Sequence, residues 1–333
     1  MKRLVYLILG VALLLGAPRC GGPTPRFTTV ALGTEGGLAE GNLTSFLLAE
    51  KGTTDYLCLD AGTLLSGLRT ARSKGSFKDV KVPEDSRLSV EGHVLQKCIR
   101  AYLISHAHLD HIAGLVINST DDGSRPILGL DPTIDYMRDH VFNWKLWPNF
   151  GTEGMMPLGK YTYQRVRSGQ EYQVAQFTVR PFQLCHGNCY PSTAFLIGCQ
   201  GDYALYFGDT GPDGVEHGQR LKAVWEHVAP LVREKKLRAI FLEVSYPDGR
   251  KDEELFGHLT PSWMLKELHQ LAELVDSKKP ARALRGLKVI VTHIKPSLEE
   301  GPGPRTRIAA ELKAQNDLGV TFILPEPGQR FDF

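Results

Sequence analysis

The chain has 333 residues, 42% hydrophobic and 23% charged, which is apolar material enough for a large core and excludes a disordered tail. Its length allows one large domain or two small ones at roughly 150 residues each, and its 34 glycines and 20 prolines are too few and too scattered for a collagenous or low-complexity chain. The net charge is +2, and setting aside Lys2 and Arg3 leaves a neutral body, so polymeric nucleic acid is a poor candidate partner.

Residues 1–22 read as a targeting segment. Lys2 and Arg3 precede an apolar stretch from Leu4 to Ala17, short for a membrane span of about 20 residues but suited to the apolar region of a signal peptide. Export to the periplasm or beyond is the preferred reading. Pro18 and Arg19 make Cys20 a poor lipidation site and no clean cleavage pattern stands out, so an uncleaved anchor stays open. No other membrane contact is expected. Cys58, Cys98 and Cys199 lie in or beside apolar strand-like runs, where buried free thiols are ordinary. Cys185 and Cys189 bracket His186 and would bridge if that loop turns tightly.

From residue 26 onward, short β-like runs alternate with amphipathic segments. Strands are expected at Phe27–Leu32, Leu43–Ala49 and Tyr56–Asp60, around the glycine-rich turn Gly33–Gly41. Ile99–Ser105 is a strand running into His106, and a helix follows over Asp110–Ile117. Asp131-Pro132 opens a helix expected to reach Trp147. The middle reads as strands at Tyr161–Val166, Tyr172–Leu184, Thr193–Cys199 and Tyr203–Phe207. A helix at Gln219–Glu234, a strand at Ala239–Val244, a helix at Pro261–Leu274 and a strand at Lys288–Thr292 follow. A helix at Thr306–Leu318 and a last strand at Val320–Leu324 end the pattern. With no repeat and no dividing linker, residues 26–333 read as one α/β domain of two packed sheets flanked by helices.

The densest chemistry is His106-Ala107-His108-Leu109-Asp110-His111. Neutral imidazole and carboxylate are standard zinc ligands. His106 and His108, two apart in extended backbone, point the same way, while Asp110 and His111 lie beyond the bend and reach a second position. The spacing suits two metals. Three further candidates each stand at the end of an apolar strand: His186 after Phe182-Gln183-Leu184-Cys185, Asp209 after Leu205-Tyr206-Phe207-Gly208, and His293 after Val289-Ile290-Val291-Thr292. One edge of the sheets is expected to gather them all.

This pattern resembles the metallo-β-lactamase superfamily, whose fold is an αββα sandwich with a two-metal site. Within it, the run from His106-Ala107-His108-Leu109-Asp110-His111 through Ile112-Ala113-Gly114-Leu115-Val116-Ile117-Asn118-Ser119 is similar to the signature of the class II cyclic-nucleotide phosphodiesterases. Thr120 departs from it, outside the metal shell. The resemblance extends from Gly33-Thr34-Glu35-Gly36-Gly37 to Thr292-His293-Ile294-Lys295-Pro296. It implies that His106, His108 and His186 hold one metal and Asp110 and His293 the other, with Asp209 bridging. It also makes Asp60 an outer residue that orients a ligand or loop.

His258 lies in Phe256-Gly257-His258-Leu259-Thr260-Pro261. Similar segments in phosphodiesterases related to this fold turn the histidine toward the scissile phosphate, although a histidine before a helix needs no function of its own. Glu243, ending its strand, is a candidate hydrogen-bond partner. His93, His140, His217, His227 and His269 read as structural or surface residues, Lys295 as solvated, and Gly33–Gly41 as a turn near the mouth of the site.

The expected reaction is opening of a 3′,5′-cyclic nucleotide to the nucleoside 5′-monophosphate by a hydroxide bridging two divalent metals. Asp110 belongs to that centre, and His258 protonates the departing sugar oxygen. Cyclic AMP, or cyclic GMP, is the expected substrate. Nitrogen-rich ligands favour zinc, although manganese or iron can use the same groups. The rival readings are a lactamase-, lactonase- or RNA-processing-like hydrolase, or a non-catalytic nucleotide-binding protein. No oligomeric state follows from the residues.

Overall fold

The computed structural model describes residues 26–333; the expected targeting segment, 1–22, lies outside them. One seven-stranded sheet contains β1 (Phe27–Gly33), β2 (Ser45–Glu50), β3 (Tyr56–Leu59), β4 (Ile99–Leu103), β5 (Arg125–Leu130), β6 (Tyr161–Val166) and β14 (Arg330–Asp332), in the order β14-β1-β2-β3-β4-β5-β6. The other contains β7 (Tyr172–Val174), β8 (Phe177–His186), β9 (Tyr190–Cys199), β10 (Asp202–Phe207), β11 (Leu237–Glu243), β12 (Lys288–Thr292) and β13 (Thr321–Ile323), in the order β13-β12-β11-β10-β9-β8-β7. No helix among the described residues is long and apolar enough to cross a membrane.

Three apolar layers hold the sandwich together, and strand periodicity builds them. Along β10, Ala204 and Tyr206 face the layer between the sheets while Leu205 and Phe207 face the outer helices. The same alternation sends Phe241 and Ile290 inward and Ile240, Leu242, Val289 and Val291 outward. Outside the second sheet, these residues pack under helices Arg220–Arg233, Pro261–Val275 and Pro304–Gln315. Helices Leu65–Ser73, Leu109–Asn118 and Asp131–Tyr136 cover the first sheet. The result is the expected αββα arrangement.

Strand direction makes one functional edge. β3 and β4 run parallel, as do β10, β11 and β12, and β8 shares their direction because it reaches β10 through two antiparallel pairings. The carboxyl ends of all these strands therefore open on one side of the sandwich.

Several elements differ from expectation. The helix from Asp131 ends at Tyr136, continues as a wider turn over Met137–Val141, and stops short of Trp147. Asn143 Oδ1 accepts hydrogen bonds from the amides of Lys145 and Leu146, and Trp144 takes a positive φ of 65°; this local alternative breaks the helix. The run Tyr172–Leu184 is a tight hairpin, because Ala175, at φ 52°, reverses the chain and pairs Val174 with Phe177. The last helix closes at Gln315, where Asn316 Oδ1 accepts from the Val320 amide. Arg330–Asp332, beyond the expected last strand, adds an edge to β1. Strand Arg125–Leu130 and helix Leu65–Ser73 lie outside the expected elements.

Candidate metal centre and active site

Asp60, His106, His186, Asp209, Glu243 and His293 each stand at a strand's carboxyl end or within three residues past it. Asp60 follows β3 and His293 follows β12, with φ of 51° and 58°. This left-handed backbone is costly for non-glycine residues and turns each side chain sharply across the edge. His106 follows β4 by three residues. His108 caps the helix Leu109–Asn118, which carries Asp110 in its first turn, where the helix dipole favours a carboxylate. His186 ends β8, and Cys185 and Cys189 form a disulfide across the turn that follows. His258 lies two residues before Thr260, whose hydroxyl caps helix Pro261–Val275.

The side chains converge in two groups. Ligand-type atoms of His106, His108 and His186 lie within 4.8 Å of one another, and so do those of Asp110, His111, Asp209 and His293. Asp209 stands between them. Its Oδ2 is 3.1 Å from His293 Nε2 and 3.8 Å from Nε2 of both His106 and His186, and its Oδ1 is 3.2 Å from His111 Nε2. Asp110 Oδ2 is 3.1 Å from His293 Nε2. The five other histidines, His93, His140, His217, His227 and His269, join none of these groups.

Outer hydrogen bonds fix which imidazole nitrogen faces the centre. His186 Nδ1 donates to the Gly257 carbonyl at 2.8 Å, and His111 Nδ1 donates to Asp60 at 2.8 Å. Ser105 Oγ donates to Asp60 and lies 3.0 Å from His106 Nδ1. Ser245 Oγ donates to Glu243 and lies 2.9 Å from His293 Nδ1. Each serine thus accepts from the imidazole it touches. All four rings present Nε2 toward the interior, the atom a metal bound there would take.

The donor set fits divalent cations on its own terms. His111 Nε2 and Asp209 Oδ1, buried and 3.2 Å apart, form no aligned hydrogen bond with one another or with any other group, a costly arrangement unless something else fills their coordination. Burial, reinforced by neighbouring imidazoles, holds His106 well below its usual range and takes His108 down to about 4. These rings are therefore neutral, as ligands must be. Burial opposes ionisation of Asp209 and Asp110, but the adjacent imidazoles outweigh it and hold both carboxyls far below their ordinary range. Burial likewise opposes protonation of His111, yet the charges of Asp209 and Asp60 push it upward. It is the ring that most needs a cation to replace its proton.

Asp60 and Glu243 brace the two sides. The Asp60 carboxylate accepts from the Ser105 amide and hydroxyl, from His111 and from Tyr206 Oη at 2.6 Å, so it ties one sheet to the other beneath the centre. Glu243 contacts His258 Nδ1 at 2.8 Å and reaches His293 through Ser245. Burial, and then the charge of Asp209, push Glu243 up to about 7, while burial takes His258 down to about 4. The glycine-rich turn comes closer than the mouth: the Gly37 amide donates to Asp110 at 2.9 Å, and a side chain on Gly36 would strike the His293 ring. Ser105, Ser245 and Tyr206 escaped sequence reasoning. Nothing in their spacing marks them, and only packing brings them to the histidines.

An αββα sandwich with such an edge belongs to the metallo-β-lactamase-fold class. The fold protein YhfI from Bacillus subtilis superposes with a TM-score of 0.59 at 16% identity over 93% of this chain and 100% of its own. Residues 26–328 match the model of the family described as class-II cAMP phosphodiesterases. A 3′,5′-cyclic-nucleotide phosphodiesterase of Aliivibrio fischeri is 42% identical, covering 92% of this chain and 93% of its own. A probable 3′,5′-cyclic-nucleotide phosphodiesterase of Yersinia pestis is 41% identical, covering 93% and 90%. The crystal structure of unliganded yeast PDE1 superposes with a TM-score of 0.79 at 26% identity, over 93% of this chain and 100% of that one. The chain belongs to the class II cAMP phosphodiesterase family and is a hydrolase of that family.

Proposed function

We propose that the chain hydrolyses 3′,5′-cyclic AMP, and cyclic GMP as a second substrate, to the nucleoside 5′-monophosphate at a centre for two divalent cations, zinc before manganese or iron. The observation that carries this reading is the convergence of His106, His108 and His186 on one side of Asp209 with Asp110, His111 and His293 on the other. Bound there, divalent cations would draw charge from the phosphoryl oxygens and make water acidic enough to attack at neutral pH. Nitrogen-rich donors favour zinc.

The chain's own residues supply the rest. Water attacks phosphorus, the bond to O3′ breaks, and O3′ takes a proton from His258. The Glu243 carboxyl, pushed up to about 7, donates its own proton to Nδ1 of the neutral His258 ring, which leaves the proton for the departing oxygen on Nε2. Asp60 holds His111 and, through Ser105, His106, keeping both rings oriented while charge builds at phosphorus.

Export through the apolar stretch Leu4–Ala17 is proposed alongside. The Cys185–Cys189 disulfide supports it, since disulfides persist in oxidising compartments. Fractionation of cells expressing the full chain tests it: protein only in the cytosolic fraction would overturn export.

The test of activity is chromatography of products from cyclic AMP, cyclic GMP, a β-lactam and a lactone, before and after chelation. Formation of the 5′-monophosphate that stops on chelation and returns with zinc is expected. Turnover of only the lactam or lactone, or of none by protein holding two metals, would sink the phosphodiesterase assignment.

A further inference from the structure

A cavity of about 740 Å³ opens beside His258, walled by Tyr246, Arg250, Lys295 and Arg307 among others. That volume lies in the range of small-molecule sites. It adjoins the centre on two sides, since Tyr246 directly follows Ser245 and its ring stands edge-on to His258 at 5.8 Å, and Lys295 is two residues beyond His293. The Arg250 guanidinium lies 3.9 Å over the Tyr246 ring and is exposed on its outer side. Among the described residues Lys295 Nζ, Arg250 and Arg307 have no carboxylate partner, although all three line one cavity. Three acids line the same cavity without pairing to them: Asp248 accepts from Ser262 and Gln315, and Glu299 and Glu300 are exposed.

We infer that this cavity is the nucleoside subsite, with the base stacked on the Tyr246–Arg250 pair and Lys295 drawing the phosphate toward the centre. The inference rests on the phosphodiesterase reading for its direction. If His258 gives its proton to O3′, the ribose lies on the His258 side, and the base then leaves the centre toward Tyr246. A flat π system and a guanidinium plane together are what a nucleobase stacks on. The opposite lip is built differently. There Tyr190 stacks on His108 at 4.5 Å and Tyr136 stacks on Tyr190 at 5.6 Å, so the aromatic surface already covers a histidine of the centre.

The test compares cyclic AMP with the abasic analogue ribose 3′,5′-cyclic phosphate in the zinc-loaded full chain. Tyr246→Ala and, independently, the exposed Arg250→Ala should raise KM for cyclic AMP at least tenfold more than for the abasic analogue, with metal content unchanged. Tyr246→Phe should restore most of the difference. Equal losses on both substrates, or discrimination that moves with Tyr136→Ala instead, would overturn the inference. Equilibrium binding of 5′-AMP and of inorganic phosphate separates it from the activity assignment. Should the wild type turn over neither cyclic substrate, weakened 5′-AMP binding with intact phosphate binding in Arg250→Ala still upholds the subsite, and unchanged 5′-AMP binding overturns it.

Discussion

Glu243 Oε1 lies 2.8 Å from Nδ1 of His258, both residues buried at the centre's edge. The same carboxyl group also takes the Thr210 amide through Oε1 and the Ser245 hydroxyl through Oε2. One side chain thereby sets the pose of the proposed proton donor and, through Ser245, of His293.

That division of labour is separable by mutation. His258→Ala should lower turnover of cyclic AMP by about 100- to 10,000-fold, the range for a lost general acid, with metal content unchanged. Metal analysis of the purified variant decides the matter: loss of metal would make His258 a ligand instead. Ser245→Ala should show the complementary pattern, with metal affinity weakened about 10- to 100-fold and turnover recovered at high zinc.

Asp60 is the corresponding brace on the other side, with four donors on one buried carboxylate. Asp60→Ala would strand those donors away from water and should destabilise the fold by about 3–5 kcal/mol, read as a shift in the urea midpoint. Asp60→Asn keeps the shape and loses the charge that holds His111 Nδ1. Its zinc affinity should fall about 10- to 100-fold in competition with a chelator; an unchanged affinity would remove Asp60 from the centre's support.

Chelation should also lower thermal stability. A ligand that binds only the folded chain at a hundredfold excess over its Kd stabilises it by about 2.7 kcal/mol. His111 Nε2 and Asp209 Oδ1, which form no aligned hydrogen bond, would lose their coordination on metal removal. Scanning calorimetry should show a fall of several degrees on chelation, reversed by zinc. Identical melting with and without metal would contradict the donor arrangement.

Glu267 offers a pH test remote from the metal ligands. It is buried in helix Pro261–Val275, accepting from Trp225 Nε1 at 3.1 Å and from the Asp213 amide at 3.3 Å, and burial pushes its carboxyl from an ordinary 4.5 up to about 7. The folded chain therefore binds this proton more tightly than the unfolded chain does. Its contribution is complete below about 4.5 and is lost as pH rises through about 7. Glu267→Gln should flatten that decline and be more stable than wild type at pH 8 by about 1–3 kcal/mol. Urea midpoints at pH 5 and 8 check this; parallel curves would refute it.

Much of the centre was legible before any fold was known. His106, His108, Asp110 and His111 crowd six residues after an apolar run, and His186, Asp209 and His293 each end a run of the same kind. Period-two alternation named the strands, and a polar residue at a strand end is a local signal. Where local competition decided the outcome, the pattern misled. Asn143 ended a helix whose apolar spacing ran on to Trp147, and Ala175 turned a hairpin without the glycine or asparagine that usually marks one.

The residues alone determined the layers, the family and the metal-type donors, because burial periodicity and ligand chemistry are written in residue type and spacing. Only the tertiary structure decided which nitrogen of each ring faces inward, that Tyr206 of one sheet ties down Asp60 of the other, and that Tyr246, Arg250 and Lys295 wall one cavity. These are contacts between residues tens to hundreds of positions apart. They exist because parallel strands bring their carboxyl ends to a common edge, a consequence of topology that no local window contains.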